Sequence, residues 1–343
     1  MRKITKEVTI YDLAKALNVS PTTVSRALND HHSIGKDTTQ AVKKLAKKLG
    51  YRPNSVASSL RKNKSNTIGV IMPLISRPFV ASVISGIEEE ANQAGFNVII
   101  SQTYDSYEKE VANAQTLYSN RVAGLIVSLA METQTYDHFY PFMQKDIPLV
   151  SIDRISDELE TDRIVIDNFA AAYKATEHLI KMGCRRIAHF GGAQHRNVYY
   201  ERQQGYIEAL KHYGMEVEDE LMVHNKLSLE EGRESMAQLL SLPQPPDAVF
   251  SANDSAAVGA IQVAKQRGLH IPQDIAFVGF NDDPISSIID PALTTITHPA
   301  FEMGKIAAQQ VLKNRENTDI VQSQTIVLKT ELLIRASSLR KTT

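Results

Sequence analysis

The chain has 343 residues, with 38 Lys and Arg against 39 Asp and Glu, one Cys and no Trp. A single thiol excludes a disulfide framework and a thiol-pair metal or redox site, no apolar run approaches membrane-spanning length, and the start MRKITKEVT lacks the apolar core of a signal peptide, so a cytoplasmic protein without a membrane partner is expected. The near-neutral charge hides a split: residues 1–65 hold 14 basic and 4 acidic residues, a net of +10, while the other 278 hold 24 and 35, a net of −11. A basic head on an acidic body suggests a nucleic-acid-binding module joined to something else.

The first elements predicted are two short helices in VTIYDLAKALNVSPTTVSRALN, residues 8–29. Ile10, Leu13, Ala14 and Leu17 recur at helical spacing, with Thr9 as N-cap and Asp12 three residues on as a capping-box variant. Asn18-Val19 breaks the pattern. Ser20 caps a second helix with Pro21 at its first position, where a missing N–H is harmless. That helix should bury Val24, Ala27 and Leu28 and present Thr22, Ser25, Arg26 and Asn29. Such small polar side chains and one forked cation suit base edges in a DNA major groove. A helical hairpin with a merely solvated polar face is the alternative, and the local charge argues against it.

A third helix is expected at about 36–49, ended by Gly50 as a C-terminal cap. Then comes YRPNSVASSLR, residues 51–61. Arg52-Pro53 stops any preceding helix, and Val56, Ala57 and Leu60 form one small apolar face. Seven or eight residues are too few for a stable isolated helix, so order here requires a partner.

Together these segments resemble the DNA-binding headpiece and hinge of the lactose-repressor (LacI/GalR) family of bacterial transcription regulators. The resemblance implies a headpiece over 1–50, a hinge helix and linker over 51–66, and a dimer binding a palindromic duplex operator. It places Thr9, Tyr11, Ser20, Pro21, Thr22, Thr23, Ser25, Arg26 and Asn29 against DNA, joined by Asn54, Ser55, Ala57 and Leu60 of the hinge. Leu60 would be the wedge that opens a minor-groove base step. A plain interdomain linker is the competing reading, and it suits residues 62–66.

From Thr67 onward, apolar β-rich runs alternate with helical stretches. Strands are expected at 68–73, 97–101, 124–128 and 148–153, with helices at about 79–94 and 108–119. The series restarts with strands at 164–167, 186–192, 247–254 and 275–280 and helices near 170–182, 203–213 and 256–267. Such alternation predicts parallel sheets covered on both faces, and two series predict two doubly wound subdomains. The fold class is therefore a small all-α helix-turn-helix headpiece plus an α/β core, 67–343, built like periplasmic sugar-binding proteins. The family's three crossings between subdomains are expected near 162–163, 291–293 and 320–321. Subdomain one would then hold about 67–162 and 293–320, with TTITHP (294–299) and a helix at 301–314. Subdomain two would hold about 163–292 and 321–343, with TIVLKTELLIR (325–335) as a closing strand.

Ligands of open α/β sheets bind at the carboxyl ends of the strands. Asp153, Arg154, Asn253, Asn281 and Asp282 stand at such ends, and Arg202 lies in YYERQQGY. Carboxylates, amides and a guanidinium supply paired donors and acceptors for vicinal hydroxyls. Asp and Asn are equally at home there as helix N-caps, Asn253 or Asp254 above all. The resemblance implies effector contacts at Asp153, Arg202, Asn253 and Asn281, and at the SRPF loop carrying Phe79. Without Trp, stacking on a sugar ring must use Phe79, Tyr104, Phe169 or another Phe or Tyr. The expected ligand is a sugar or sugar derivative, with a sugar phosphate as second choice. No H-E-x-x-H, G-x-S-x-G or Walker lysine pattern occurs, so no metal, no cofactor and no enzymatic activity are expected. The readings set against a ligand-controlled repressor are a sugar-binding module without DNA activity and a carbohydrate-modifying enzyme. The tail lacks leucine heptads, so a homodimer is expected rather than a tetramer.

Overall fold

The computed structural model describes residues 8–51, 65–316 and 323–340. The chain divides into two compact units, Met1–Ser65 and Asn66–Thr343.

The smaller unit holds α1 (Ile10–Leu17), α2 (Pro21–Leu28) and α3 (Lys36–Leu49). Thr9 N–H donates to the Asp12 carboxylate at 2.8 Å and Asp12 N–H to the Thr9 hydroxyl at 3.4 Å, a complete capping box. Asn18 then takes a left-handed conformation (φ 51°) that ends α1 and allows the tight turn. Ser20 accepts from Thr23 N–H at 3.0 Å, with Pro21 opening α2. Leu13, Ala14, Val24, Ala27, Val42 and Ala46 form the buried junction, and Leu28 packs against it half-exposed. Half of these side chains are alanines, so the unit buries little apolar surface and leans on its caps.

The larger unit contains two six-stranded sheets. The first combines β1 (Thr67–Met72), β2 (Asn97–Gln102), β3 (Gly124–Val127), β4 (Leu149–Ile152), β5 (Asp162–Ile166) and β11 (Thr325–Leu328), in the order β11-β5-β4-β3-β1-β2, all parallel. The second combines β6 (Ile187–Gly191), β7 (Met222–His224), β8 (Ala248–Ser251), β9 (Ala276–Asn281), β10 (Thr294–Thr297) and β12 (Leu332–Leu333), in the order β12-β10-β9-β8-β6-β7, with only β12 antiparallel. In both, strand order reverses beside the first strand, which opens a crevice at the carboxyl ends. The helices are α4 (Pro78–Gln93), α5 (Tyr107–Ser119), α6 (Tyr140–Met143), α7 (Asn168–Lys181), α8 (Asn197–His212), α9 (Leu229–Leu239), α10 (Asp254–Gln266), α11 (Pro284–Ile288) and α12 (Ala300–Glu316). α4 and α12 cross at Gly86 and Gly304. A Cβ at 86 would fall 2.0 Å from the Phe301 carbonyl oxygen, and one at 304 would fall 2.1 Å from that of Val83.

Two doubly wound subdomains are present, but each crossing lies one strand later than expected. The strand at 162–166 does not open the second series: it pairs with β4, and Ser151 and Thr161 hydroxyls bond across the pair at 2.8 Å. TTIT belongs to the second sheet beside β9, and only α12 returns to the first subdomain, against α4. TIVLKTELLIR is two strands: β11 edges the first sheet beside β5, and β12 pairs with β10. The chain therefore changes subdomain after Ile166, at His298-Pro299 and between Leu328 and Leu332. An apolar strand carries no mark of which of two similar sheets it will join. α8 begins six residues before its expected start. α9 was not expected, although Ser228 and Glu231 form its capping box.

Candidate DNA face and effector cleft

On the smaller unit, Tyr11, Thr22 and Arg26 are exposed, Tyr11 by 71%. Among the described residues the Arg26 side chain has no hydrogen-bond or ion-pair partner. Pro21 and Ser25 are half-buried on the same helix. The other expected contacts already hold the fold. Thr9 and Ser20 are caps, Ser20 and Thr23 hydroxyls bond each other at 2.9 Å, and the Asn29 amide donates to the Ser25 carbonyl at 2.7 Å. Asn54, Ser55, Ala57 and Leu60 lie outside the described residues.

In the larger unit a cavity of about 660 Å³ opens where the strand ends of the two sheets face each other. Phe79, Tyr104, Asp105, Asp153 and Arg154 line it from the first subdomain, and Tyr199, Arg202, Asn253, Asn281, Asp283 and His298 line the other wall. Six of the seven expected cleft residues are thus together: Phe79, Asp153, Arg154, Arg202, Asn253 and Asn281. Asp282 is not in the wall. Its carboxylate accepts from Arg335 at 2.7 Å and from the Ser286 hydroxyl at 3.1 Å. Asn281 (φ 109°) and Asp282 (φ 55°) are both left-handed, and the turn they make gives the cavity Asp283 instead. Tyr104, Asp105 and Asp153 also have positive φ, so strained backbone gathers at the cavity's strand ends. Phe169 is on α7 and does not line the cavity, whereas Phe79 and Tyr104 do.

The candidate residues differ in how far their polar groups are engaged. Arg202, 4% exposed, donates from Nε to Asn168 Oδ1 at 2.9 Å and from Nη1 to the Ala252 carbonyl at 2.8 Å, and lies 3.7 Å from the Phe280 ring centre. Burial lowers its pKa, against the raising field of Asp153. Arg154 is bound to Asp105 at 2.5 Å and to the Tyr199 hydroxyl at 3.2 Å; burial opposes its charge, but Tyr199, Asp105 and Asp153 outweigh it and raise its pKa. Asn253 caps α10 through Ala256 N–H at 2.9 Å and donates to the Leu227 carbonyl at 2.8 Å, so the capping role holds for it. Asp153 makes no side-chain hydrogen bond among the described residues. Burial raises its pKa, against Arg202 and Arg154.

Sequence reasoning missed His298, Tyr199, Asp105 and Arg77, and at the strand end 281–283 it set Asp282 rather than Asp283 against the ligand. His298 stacks on Phe79 with ring centres 4.1 Å apart, and its Nδ1 meets Asn281 Oδ1 at 3.2 Å. With Asn281 Oδ1 as acceptor the Nδ1–H tautomer is favoured, and Nε2, 3.9 Å from Asp153, has no hydrogen-bond partner. Burial, and then Arg202, hold its pKa well below the ordinary value, which favours the neutral ring. Burial pushes Asp283 up to about 6, against Arg77 and helped by Asp282. Only the dipeptide HP after an apolar run marked His298 in the sequence. The wall thus offers acceptors at Asp153, Asp283 and His298, residual donors on Arg202, and aromatic faces at Phe79 and Tyr199. The adjacent acids Asp282 and Asp283 serve different neighbours and do not form a catalytic pair.

A helix-turn-helix unit joined to a two-sheet core with a polar cleft defines a DNA-binding regulator with a periplasmic-binding-protein-like ligand domain. The model for bacterial regulatory proteins of the lacI family matches residues 9–54, and that for periplasmic binding proteins and the sugar binding domain of the LacI family matches 65–332. The chain belongs to the LacI family of bacterial transcription regulators. It is 33% identical over 330 residues to the HTH-type transcriptional repressor CytR of Escherichia coli (strain K12), covering 96% of each chain. It is 32% identical over 315 residues to catabolite control protein A of Priestia megaterium, covering 91% of this chain and 94% of that one. Its structure is similar to the lac repressor dimer bound to operator and the anti-inducer ONPF (TM-score 0.87, 25% identity, 98% of this chain and 100% of that one). It is also similar to the transcriptional regulator CelR in complex with cellobiose (TM-score 0.72, 27% identity, 96% and 100%).

Proposed function

We propose that this protein is a cytoplasmic, non-enzymatic repressor that binds a palindromic operator as a homodimer and changes its operator affinity when a small sugar-like ligand fills the cleft. The observation that carries this reading is the cavity itself, walled by both subdomains with unengaged acceptors at Asp153 and Asp283. A ligand held by both walls stabilises the closed form, and linkage passes that preference to DNA. A neutral polyhydroxylated ligand fits best. Arg154 is already paired with Asp105, and the unengaged carboxylates of Asp153 and Asp283 repel a phosphate, which counts against a sugar phosphate. For the dimer, exposed Ile99 and Ile100 on edge strand β2, and Ile288 on α11, offer apolar surface.

The test begins with duplexes selected from a random pool by the full-length protein. Enrichment of a palindrome, with affinity falling steeply as salt rises, is expected. Neutral mono- and oligosaccharides and sugar phosphates are then screened by thermal shift and by operator titration. A neutral saccharide that raises the melting temperature and moves operator affinity supports the reading. Non-palindromic selection, turnover of the ligand, or response to sugar phosphates alone would overturn it.

A further inference from the structure

The two subdomains also touch without any ligand, and most of the hydrogen bonds between them fall on the segment before and within the first turn of α8. We propose that Arg196 is a positioning residue that clasps the subdomains together and sets how far the cleft is closed before a ligand arrives. Arg196 is 3% exposed and does not line the cavity. From the second subdomain its Nε and Nη2 donate to the Met131 carbonyl at 3.3 and 3.0 Å, and Nη2 also donates to the Thr133 carbonyl. His195 Nε2 meets the same Met131 oxygen at 2.7 Å. Both carbonyls belong to the loop after β3, in the first subdomain.

That loop is fixed from beneath. Fully buried Glu110 accepts from Ala130 N–H at 2.6 Å, from the Thr133 hydroxyl at 2.8 Å and meets His138 Nε2 at 3.0 Å. Met131 N–H donates to Asp105 at 3.1 Å. With their N–H and side-chain groups held, the carbonyls stay aimed at the guanidinium. Asn197 adds a reciprocal pair beside it, donating to the Asp153 carbonyl and accepting from Ile155 N–H, each at 3.2 Å.

The clasp is poised rather than locked. Arg196 has no ion-pair partner among the described residues, and burial pulls its pKa down. Closure desolvates this cation, while the charge-assisted bonds to two carbonyls exist only when the cleft is closed. Opening gives the guanidinium back to water. The two effects oppose each other, so the closed form leads without excluding the open one, and a ligand can still add to its population.

Electron-spin distance measurements on the full-length protein, with neither DNA nor ligand present, test this directly. Labels go on Asn120→Cys and Lys211→Cys, exposed positions on opposite subdomains, and the native Cys184 is buried and unlabelled. The wild-type distribution should be dominated by one closed population. Arg196→Ala and Arg196→Met should raise a second, open population roughly tenfold. Arg196→Lys should fall between, because an ammonium lacks the planar fork whose Nε adds a second bond to the Met131 carbonyl. The exposed His195→Ala should shift the distribution in the same direction by less, and it serves if the Arg196 variants fold poorly. Superimposable distributions in wild type and variants would overturn the clasp. So would an Arg196→Lys distribution as open as that of Arg196→Ala. Operator and ligand assays read the proposed repressor function separately, so either idea can fail alone.

Discussion

Apart from the Lys43–Asp30 pair, the polar side chains of the DNA-binding unit find their partners close by in sequence, and most of those of the cleft find theirs far away. Thr9 pairs with Asp12, Ser20 with Thr23, and Asn29 with Ser25, all within one helical turn. In the cleft, Arg202 bonds Asn168 and Ala252, Arg154 bonds Asp105, and Asn253 bonds Leu227, partners 26 to 50 residues distant. Both regions nevertheless divide in the same way. Some polar groups are consumed by the fold, and a few make no side-chain hydrogen bond among the described residues: Tyr11, Thr22 and Arg26 on the headpiece, Asp153 and Asp283 in the cleft, which the proposed function sets against DNA and ligand. Engagement, more than residue type or position, separates a structural group from a recognising one.

Arg202 offers the largest test of that division, because it is half engaged. Arg202→Ala removes the donors to Asn168 and Ala252 and the countercharge of Asp153. Breaking such a buried set should destabilise the core by about 3 kcal/mol, read as a lowered calorimetric transition, and also abolish the effector response. Asp153→Asn should abolish the response at a smaller cost in stability, since it removes only the countercharge and leaves the Arg202 bonds to Asn168 and Ala252 in place. Equal loss of stability in both variants would erase the distinction.

The next effect lies on the headpiece. Arg26 is exposed and unengaged, so Arg26→Ala should weaken specific operator binding by roughly 1–3 kcal/mol and leave folding unchanged. Operator titration with circular dichroism checks both halves. Unchanged affinity would take Arg26 off the DNA-reading face.

The same contrast explains what the sequence revealed. Headpiece helices were legible almost to the residue, because Thr9, Ser20, Pro21 and Gly50 act within one turn of the ends they mark. The alternation of two doubly wound series was legible too, because continuous apolar runs report burial on both faces. Sheet membership was not. Ile164 and Ile296 look alike in sequence, and only pairing with β4 or β9 assigns each to a subdomain. In the cleft, strand-end position found Asp153 and Asn281 but chose Asp282 over Asp283. Two successive left-handed residues decide that choice, and no residue-type pattern announces them.

A buried acid with distant partners should give the core a pH dependence that the headpiece lacks. Asp254 is fully buried, accepts from the Thr295 hydroxyl at 2.6 Å and Asp283 N–H at 2.7 Å, and is pushed by burial up to about 8. A folded pKa above the unfolded one means that the folded state holds the extra proton. This stability is complete below the ordinary carboxyl range and is lost as pH rises through 8. Between pH 7 and 8 the loss should be about 1 kcal/mol. Asp254→Asn mimics the protonated acid and should flatten that slope in denaturant titrations of the core. A wild-type core that gains stability from pH 7 to 8 would reverse the assignment.

The smallest effect decides whether Ser20 belongs to the fold or to the DNA. Its hydroxyl accepts from Thr23 N–H and bonds the Thr23 hydroxyl, which is the work of an N-cap. Ser20→Ala should cost the headpiece about 1 kcal/mol, because the cap bond is lost and Ala disfavours the extended cap conformation. Ser20→Gly should cost only a few tenths, because glycine adopts that conformation freely and lets water reach the exposed N–H. If the hydroxyl only caps, operator affinity measured well below the melting temperature should stay near wild type in both variants. If it also touches a phosphate, both should weaken binding equally, whatever their difference in stability. Affinity that follows stability, Ala below Gly, assigns Ser20 to the fold. Equal losses assign it to the operator and make it a headpiece residue that serves both.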